Sequence, residues 1–264
     1  MSDRVQLTID NAVATVRMSR PDKRNALDAD MFDALIRTGE RIIADNSVRA
    51  VVLHGEGKAF CAGLDFASFL GSPDLMKKLL ARGDDSPANM AQRAAWVWQE
   101  VKVPVIAAVH GFAFGGGLQI ALGADLRYVT PDAQLSVMEI KWGLIPDMSI
   151  TQTLLGLVPL DVAKELTFTG RILSGTEAVE LGLATKVSED PLADALETAK
   201  LIATKSPHAI RAGKALFRDA PGLSRAGALK LETALQIRLL GSPNQTEAVQ
   251  ANMMKRAPSF QDPE

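Results

Sequence analysis

Residues 103–119, VPVIAAVHGFAFGGGLQ, restrict this chain's folding options more than any other stretch. A β-branched apolar run stops at His110-Gly111. Three consecutive glycines, Gly115, Gly116 and Gly117, then enter what reads as the start of a helix. Glycines leave no side chain to keep a ligand atom off the backbone N–H groups. The first turn of a helix adds unsatisfied donors and the positive end of a dipole, so the pattern describes an anion site on a strand-to-helix turn. A tight packing turn is the alternative reading. Against it stands a second small-residue loop, Gly57-Lys58-Ala59-Phe60-Cys61-Ala62-Gly63-Leu64-Asp65, after the strand-like residues 50–54. Two such loops can converge two backbone N–H groups on one oxygen. Nucleotide sites fit poorly, because residues 111–123 lack G-x-G-x-x-G and the chain has no Gly-Lys-Ser/Thr.

Around this stretch the pattern is α/β. Alternating Val5, Leu7 and Ile9, an Asp10-Asn11 turn and the strand-like residues 13–18 predict a hairpin. Asp28 predicts a capped helix with Met31, Phe32, Leu35, Ile42 and Ile43 on one face. Strands near 50–54, 105–109 and 126–129 then alternate with helices. Residues 68–96, broken by Gly71-Ser72-Pro73 and Gly83-Asp84-Asp85-Ser86-Pro87, read as a mobile loop over a pocket. Past Pro146 the chain reads as helical. Capping boxes are expected at Ser174-Gly-Thr-Glu177 and Asn244-Gln-Thr-Glu247, with helices over 191–204, 207–217, 224–240 and 245–255.

With 264 residues, 47% of them hydrophobic and 23% charged, the chain has material for a full core. A net charge of −2 argues against a nucleic-acid partner. The single cysteine, Cys61, excludes an internal disulfide framework and fits a reducing compartment. The first ten residues, MSDRVQLTID, do not read as a signal peptide, and no apolar run approaches the ~20 residues of a membrane span. A soluble, cytoplasmic protein without membrane or nucleic-acid partners is expected. His54, His110 and His208 stand singly, so no metal site is expected. Cys61 reads as a packed loop residue, and Trp96 and Trp98 as either helix packing or the lining of an apolar tunnel.

The ordered set of motifs resembles the crotonase, or enoyl-CoA hydratase/isomerase, superfamily. It runs from Arg20-Pro-Asp-Lys-Arg-Asn-Ala-Leu27, through both glycine loops, to Ala124-Asp-Leu-Arg127, Met138-Glu139 and Gly143-Leu-Ile-Pro146. It ends with Leu166-Thr-Phe-Thr-Gly-Arg171, Glu177-Ala178 and Gly182-Leu183. The resemblance implies an α/β spiral of β-β-α units: a core over residues 1–200 holding the CoA and catalytic sites, then a helical trimerisation region over 201–264. It further implies a homotrimer or dimer of trimers, an acyl-CoA substrate, and no cofactor besides the coenzyme A that the substrate carries. By motif, the oxyanion donors are the backbone N–H groups of Leu64 and Gly116. The CoA-binding region is implied at Lys23, Arg24, Lys58, Ala62, Leu64 and Asp65, with Lys214 and Phe217 as adenine and phosphate neighbours.

Two positions decide the chemistry. The hydratase pattern places glutamates two residues after the last glycine and twenty residues further on, where this chain has Gln119 and Glu139. Glutamine exchanges no proton near neutral pH; it only orients water or substrate. Glu139, with Met138, Ile140 and Trp142 near it in sequence, is expected in an apolar pocket that raises its pKa. Asp147, eight residues on, resembles the second carboxylate of dienoyl-CoA isomerases, although those enzymes carry Asp where Gln119 sits. Asp147 reads alternatively as a helix N-cap. The resemblance therefore favours double-bond isomerisation with Glu139 as proton shuttle. Syn hydration of a 2-enoyl-CoA is the alternative, ahead of thioester hydrolysis and a non-catalytic scaffold. RNA binding, known in some members of the fold, lacks a basic, aromatic-rich stripe here.

Overall fold

A computed structural model describes residues 4–69, 73–82 and 87–264. The two-period pattern at the N-terminus gives strands β1 (Val5–Asp10) and β2 (Val13–Met18), paired antiparallel from Val5↔Met18 to Asp10↔Val13. Asn11 and Ala12 make the turn at φ 48° and 63°, the left-handed pair that a two-residue hairpin requires. Strands β3 (Ala50–Gly55) and β4 (Val105–Val109) follow in parallel, β4 buried along its whole length. The others are β5 (Phe112–Phe114), β6 (Leu126–Val129), β7 (Gln134–Ser136), β8 (Leu173–Ser174) and β9 (Lys186–Val187). One sheet runs β1-β2-β3-β4-β6-β9 and a smaller one β5-β7-β8.

Helix α1 (Ala29–Ala44) starts where expected, with the Asp28 carboxylate accepting from Met31 N. Next come α2 (Phe66–Phe69), α3 (Pro73–Leu80), α4 (Met90–Glu100) and α5 (Gly116–Leu122). Then follow α6 (Ile150–Thr153), α7 (Leu160–Thr169), α8 (Gly175–Glu180) and α9 (Pro191–Ala203). The chain closes with α10 (Pro207–Asp219), α11 (Arg225–Leu239) and α12 (Pro243–Met253). The main core fills the space among the large sheet, α1, α4 and α5. On the other face of that sheet, Ala195 and Ala199 of α9 cover Val52, Ile106 and Tyr128.

The chain winds as a spiral because successive strands alternate between the sheets: β4 then β5, β6 then β7, β8 then β9. An isolated parallel bridge, Cys61↔Ala113, adds the loop after β3 to the small sheet as a further rung.

Four local readings are corrected. The segment 68–96 contains the end of α2, α3 and the start of α4, which opens on a capping box between Asn89 and Gln92; residues 70–72 and 83–86 lie outside the described residues. Beyond Pro146 the chain is not purely helical, since β8 and β9 add two-residue strands to β7 and β6. Ser174 caps α8, but Glu177 turns its carboxylate to Arg171. Helix α12 is capped by Ser242, not Asn244, which is buried and binds His208 and the backbone of Gln261.

Candidate active site

The small sheet builds the site. Leu64 lies three residues past the Cys61 rung, and Gly116 lies three past Ala113, its bridge partner. Both residues thus follow bridged rungs at the same offset, and a Cβ on Gly63, next to Leu64, would lie 3.9 Å from Gly116 N. Neither the Leu64 nor the Gly116 N–H donates to an acceptor among the described residues. The glycines permit this approach. A Cβ on Gly63 (φ 87°) would lie 2.6 Å from the Phe114 carbonyl oxygen, and one on Gly117 would lie 2.4 Å from that of Cys61. The tight packing turn therefore leaves both N–H groups without an acceptor among the described residues.

The third rung brings the carboxylate. Ala113 pairs with Leu135, and four residues past Leu135 comes Glu139, on a short 3₁₀ turn. Glu139 and Asp147 line one apolar cavity of about 260 Å³ together with Leu64 and Gly116. Burial pushes the Glu139 carboxyl above its usual range, and the nearby Asp147 charge adds to this. Asp147 is itself raised by burial. It is not a helix cap: α6 begins at Ile150 with Ser149 in the capping position.

Gln119, only 1% exposed, projects from α5 between these groups. Its Nε2 donates to Glu139 Oε1 at 2.7 Å, and its Oε1 accepts from Met148 N at 2.8 Å. The other Glu139 oxygen, Oε2, is buried without a hydrogen-bond partner among the described residues.

The residues expected to bind CoA divide into groups. Lys23, Arg24 and Lys58 are exposed on adjoining turns, since a Cβ on Gly57 would meet Pro21 Cβ at 2.8 Å. The Arg24 guanidinium lies 5.3 Å from the centre of the Phe112 ring. Ala62 lines the cavity and gives its N–H to the Arg24 carbonyl. The Asp65 carboxylate is held by Arg20 at 2.8 Å and by Ser68, and so anchors the loop. Lys214 stands apart: buried, it spends its ammonium on the Trp98 and Val103 carbonyls and on Asp125. Phe217, 80% exposed, borders a different groove shared with Lys214 and Trp96.

Other expectations are placed as follows. Met138 and Trp142 line the cavity, whereas Ile140 is turned outward against Gly170. Trp98 is a core residue whose Nε1 donates to the Ala94 carbonyl. Burial pushes the Cys61 thiol up to about 12, and Sγ–H is directed at the Asn25 carbonyl, which suits packing rather than nucleophilic attack. Three features escaped the sequence reading. Phe66 and Trp142 stack at 4.2 Å over the cavity, and Met148 lies against Gly116. Asn25, at φ 56° and fully buried, ties Arg20 N to the Glu56 and Ala59 carbonyls. An asparagine amid buried loop residues was the available signal for Asn25, because Asn tolerates the left-handed region.

A spiral α/β fold with this arrangement of rungs and carboxylate defines an enzyme of the crotonase class. A family model described as enoyl-CoA hydratase/isomerase matches residues 8–263, and the chain belongs to that family. A probable enoyl-CoA hydratase of Bacillus subtilis is 32% identical, covering 97% of this chain and 98% of its own. A peroxisomal Delta(3,5)-Delta(2,4)-dienoyl-CoA isomerase of Arabidopsis thaliana is also 32% identical, covering 97% and 95%. The crystal structure of a Bacillus anthracis enoyl-CoA hydratase superposes with a TM-score of 0.91 at 28% identity, over 98% of this chain and 99% of that one.

Proposed function

We propose that this enzyme shifts a carbon–carbon double bond in an enoyl-CoA thioester, with Glu139 as the proton shuttle. The observation that carries the reading is that Glu139 lines the cavity with no partner on Oε2 among the described residues, while the residue behind it, Gln119, is a buried amide with both ends occupied. Glu139 Oε2 takes a proton from the carbon beside the thioester carbonyl. The electron pair moves onto the carbonyl oxygen, where the Leu64 and Gly116 N–H groups receive the enolate. Each such donor is worth roughly 10²–10³ in rate. The proton then returns to a different carbon and the enolate collapses. Hydration normally needs a water held by two ionisable carboxylates at 119 and 139, and Gln119 lacks that capacity. Lys23, Arg24 and Lys58, exposed on the turns next to the Ala62 loop, receive the CoA phosphates.

A specific observation favours a second substrate. Asp147 shares the cavity with Glu139, so a 3,5-dienoyl thioester would meet two carboxylates. Incubation with 2-enoyl-, 3-enoyl- and 3,5-dienoyl-CoA separates the readings. Isomerisation of either unsaturated class is expected to fall by about 10²–10⁴-fold in Glu139→Gln. Equal turnover by that variant, or hydration of 2-enoyl-CoA as the dominant wild-type activity, would overturn the proposal.

A further inference from the structure

The buried amide of Gln119 admits only one orientation. Its oxygen is claimed by the Met148 N–H at 2.8 Å, so its NH₂ must face Glu139, which accepts at Oε1 from 2.7 Å. The backbone at Met148 therefore dictates which Glu139 oxygen has a permanent donor. A carboxylate oxygen facing an N–H has no room for a proton of its own. We infer that Gln119 is a positioning residue that confines Glu139's transferable proton to Oε2, so that one oxygen both takes the proton and returns it.

This rests on Glu139 being the shuttle and adds how its proton is kept from solvent. In balanced form, a C–H bond breaks as Oε2–H forms and the electron pair moves to the thioester oxygen. The same Oε2–H then breaks as a new C–H forms. Without the amide the two oxygens become equivalent, and the proton gains a second resting place from which it is lost. Oε2, by contrast, takes no side-chain donor among the described residues, which makes it the oxygen of the pair that the amide leaves free. Gln119 also ties the base to the segment that carries Asp147, one residue before Met148. Among the described residues lining the cavity, Asp147 is the one titratable side chain besides Glu139.

The test uses 3-enoyl-CoA deuterated at the carbon beside the thioester, with the product label read by mass spectrometry in ordinary water. Wild type is expected to carry a measurable share of deuterium to the new C–H position. Gln119→Leu is expected to lower that share several-fold and to move the acid limb of the kcat/KM profile to higher pH, because a donor that favoured the ionised base is gone. Gln119→Glu keeps the volume if the leucine variant fails to fold. It should move the limb the same way, through a like charge at the 2.7 Å contact. Variants that lose kcat while label share and limb stay at wild-type values would reduce Gln119 to a packing role and overturn the inference, as would wild type carrying no label. Activity persisting in Glu139→Gln would instead remove the shuttle reading itself, which keeps the two failures distinct.

Discussion

Burial and the Asp147 charge both hold the Glu139 carboxyl above its ordinary range, and this has a cost in stability as well as a use in catalysis. Below the ordinary carboxylate range, folded and unfolded chains are both protonated at this position and nothing is lost. As pH rises from that range through the raised folded value, the unfolded chain ionises first, so stability falls. Glu139→Gln should therefore melt higher than wild type at neutral pH, the gap closing towards pH 4. Thermal melts across pH 4–8 decide this, and a gap that is constant with pH would exclude ionisation as its cause. Under the proposed function catalysis runs the other way: Glu139 must be ionised to take a proton, so activity is expected to rise over the window in which stability declines. Gln119 and Glu139 were singled out in the sequence by the family resemblance, whose pattern is counted from the glycine run. The Met148 amide that orients Gln119 was not legible, because a backbone donor leaves no mark on residue identity. Lys214 misled for a related reason: a lysine satisfied by two buried carbonyls looks in sequence like any surface cation.

Among the elements, glycine positions divide by what surrounds them. An alanine Cβ at Gly117 would press on the Cys61 carbonyl at 2.4 Å and Sγ at 2.9 Å, backbone and core that cannot yield freely. Gly117→Ala should cost about 1–3 kcal/mol by overpacking and lower turnover as the two loops are forced apart. Gly213, within α10, has no atom within 4 Å of the same Cβ. There the substitution should gain up to about 1 kcal/mol from helix propensity alone. Urea unfolding of the pair reads both signs, and a destabilised Gly213→Ala would contradict the open space assigned to it. The long elements were readable by two marks: an amphipathic period over several turns in α1 and α10, and a polar cap ahead of a helix-forming run in α11 and α12, which have no buried stripe. The strands β8 and β9, two residues each, are too short to show any period and exist because longer strands offer them an edge.

Across the molecule, one group of exposed apolar side chains lies on the C-terminal helices, besides others such as Ile145 and Phe168. Helix α11 buries none of its residues, and Leu229, Ile237 and Leu240 are 56%, 64% and 61% exposed. Met253 and Met254, at the end of α12, are exposed as well. Contiguous apolar surface of this kind marks an interaction site, and the proposal that covers it is self-association into a homotrimer or a dimer of trimers. Light scattering should then give three or six times the 28.2 kDa chain mass, with Ile237→Glu shifting it to the monomer. A monomeric wild type would end that proposal.

The equal offset of Leu64 and Gly116 from bridged rungs has a consequence for how such a site can vary. Neighbouring strands lie about 4.7–4.9 Å apart, so the sheet itself acts as the ruler that spaces the two amides. Side chains at these positions are free to drift, which is why a leucine at 64 is harmless. Loop length is not free. One residue more or less in either loop would rotate its amide to the opposite side, erasing the pair without changing a single side chain of the cavity. At Leu64, then, the count of residues from the rung matters more than the side chain that stands there, and an insertion or deletion of one residue is the change this loop tolerates least.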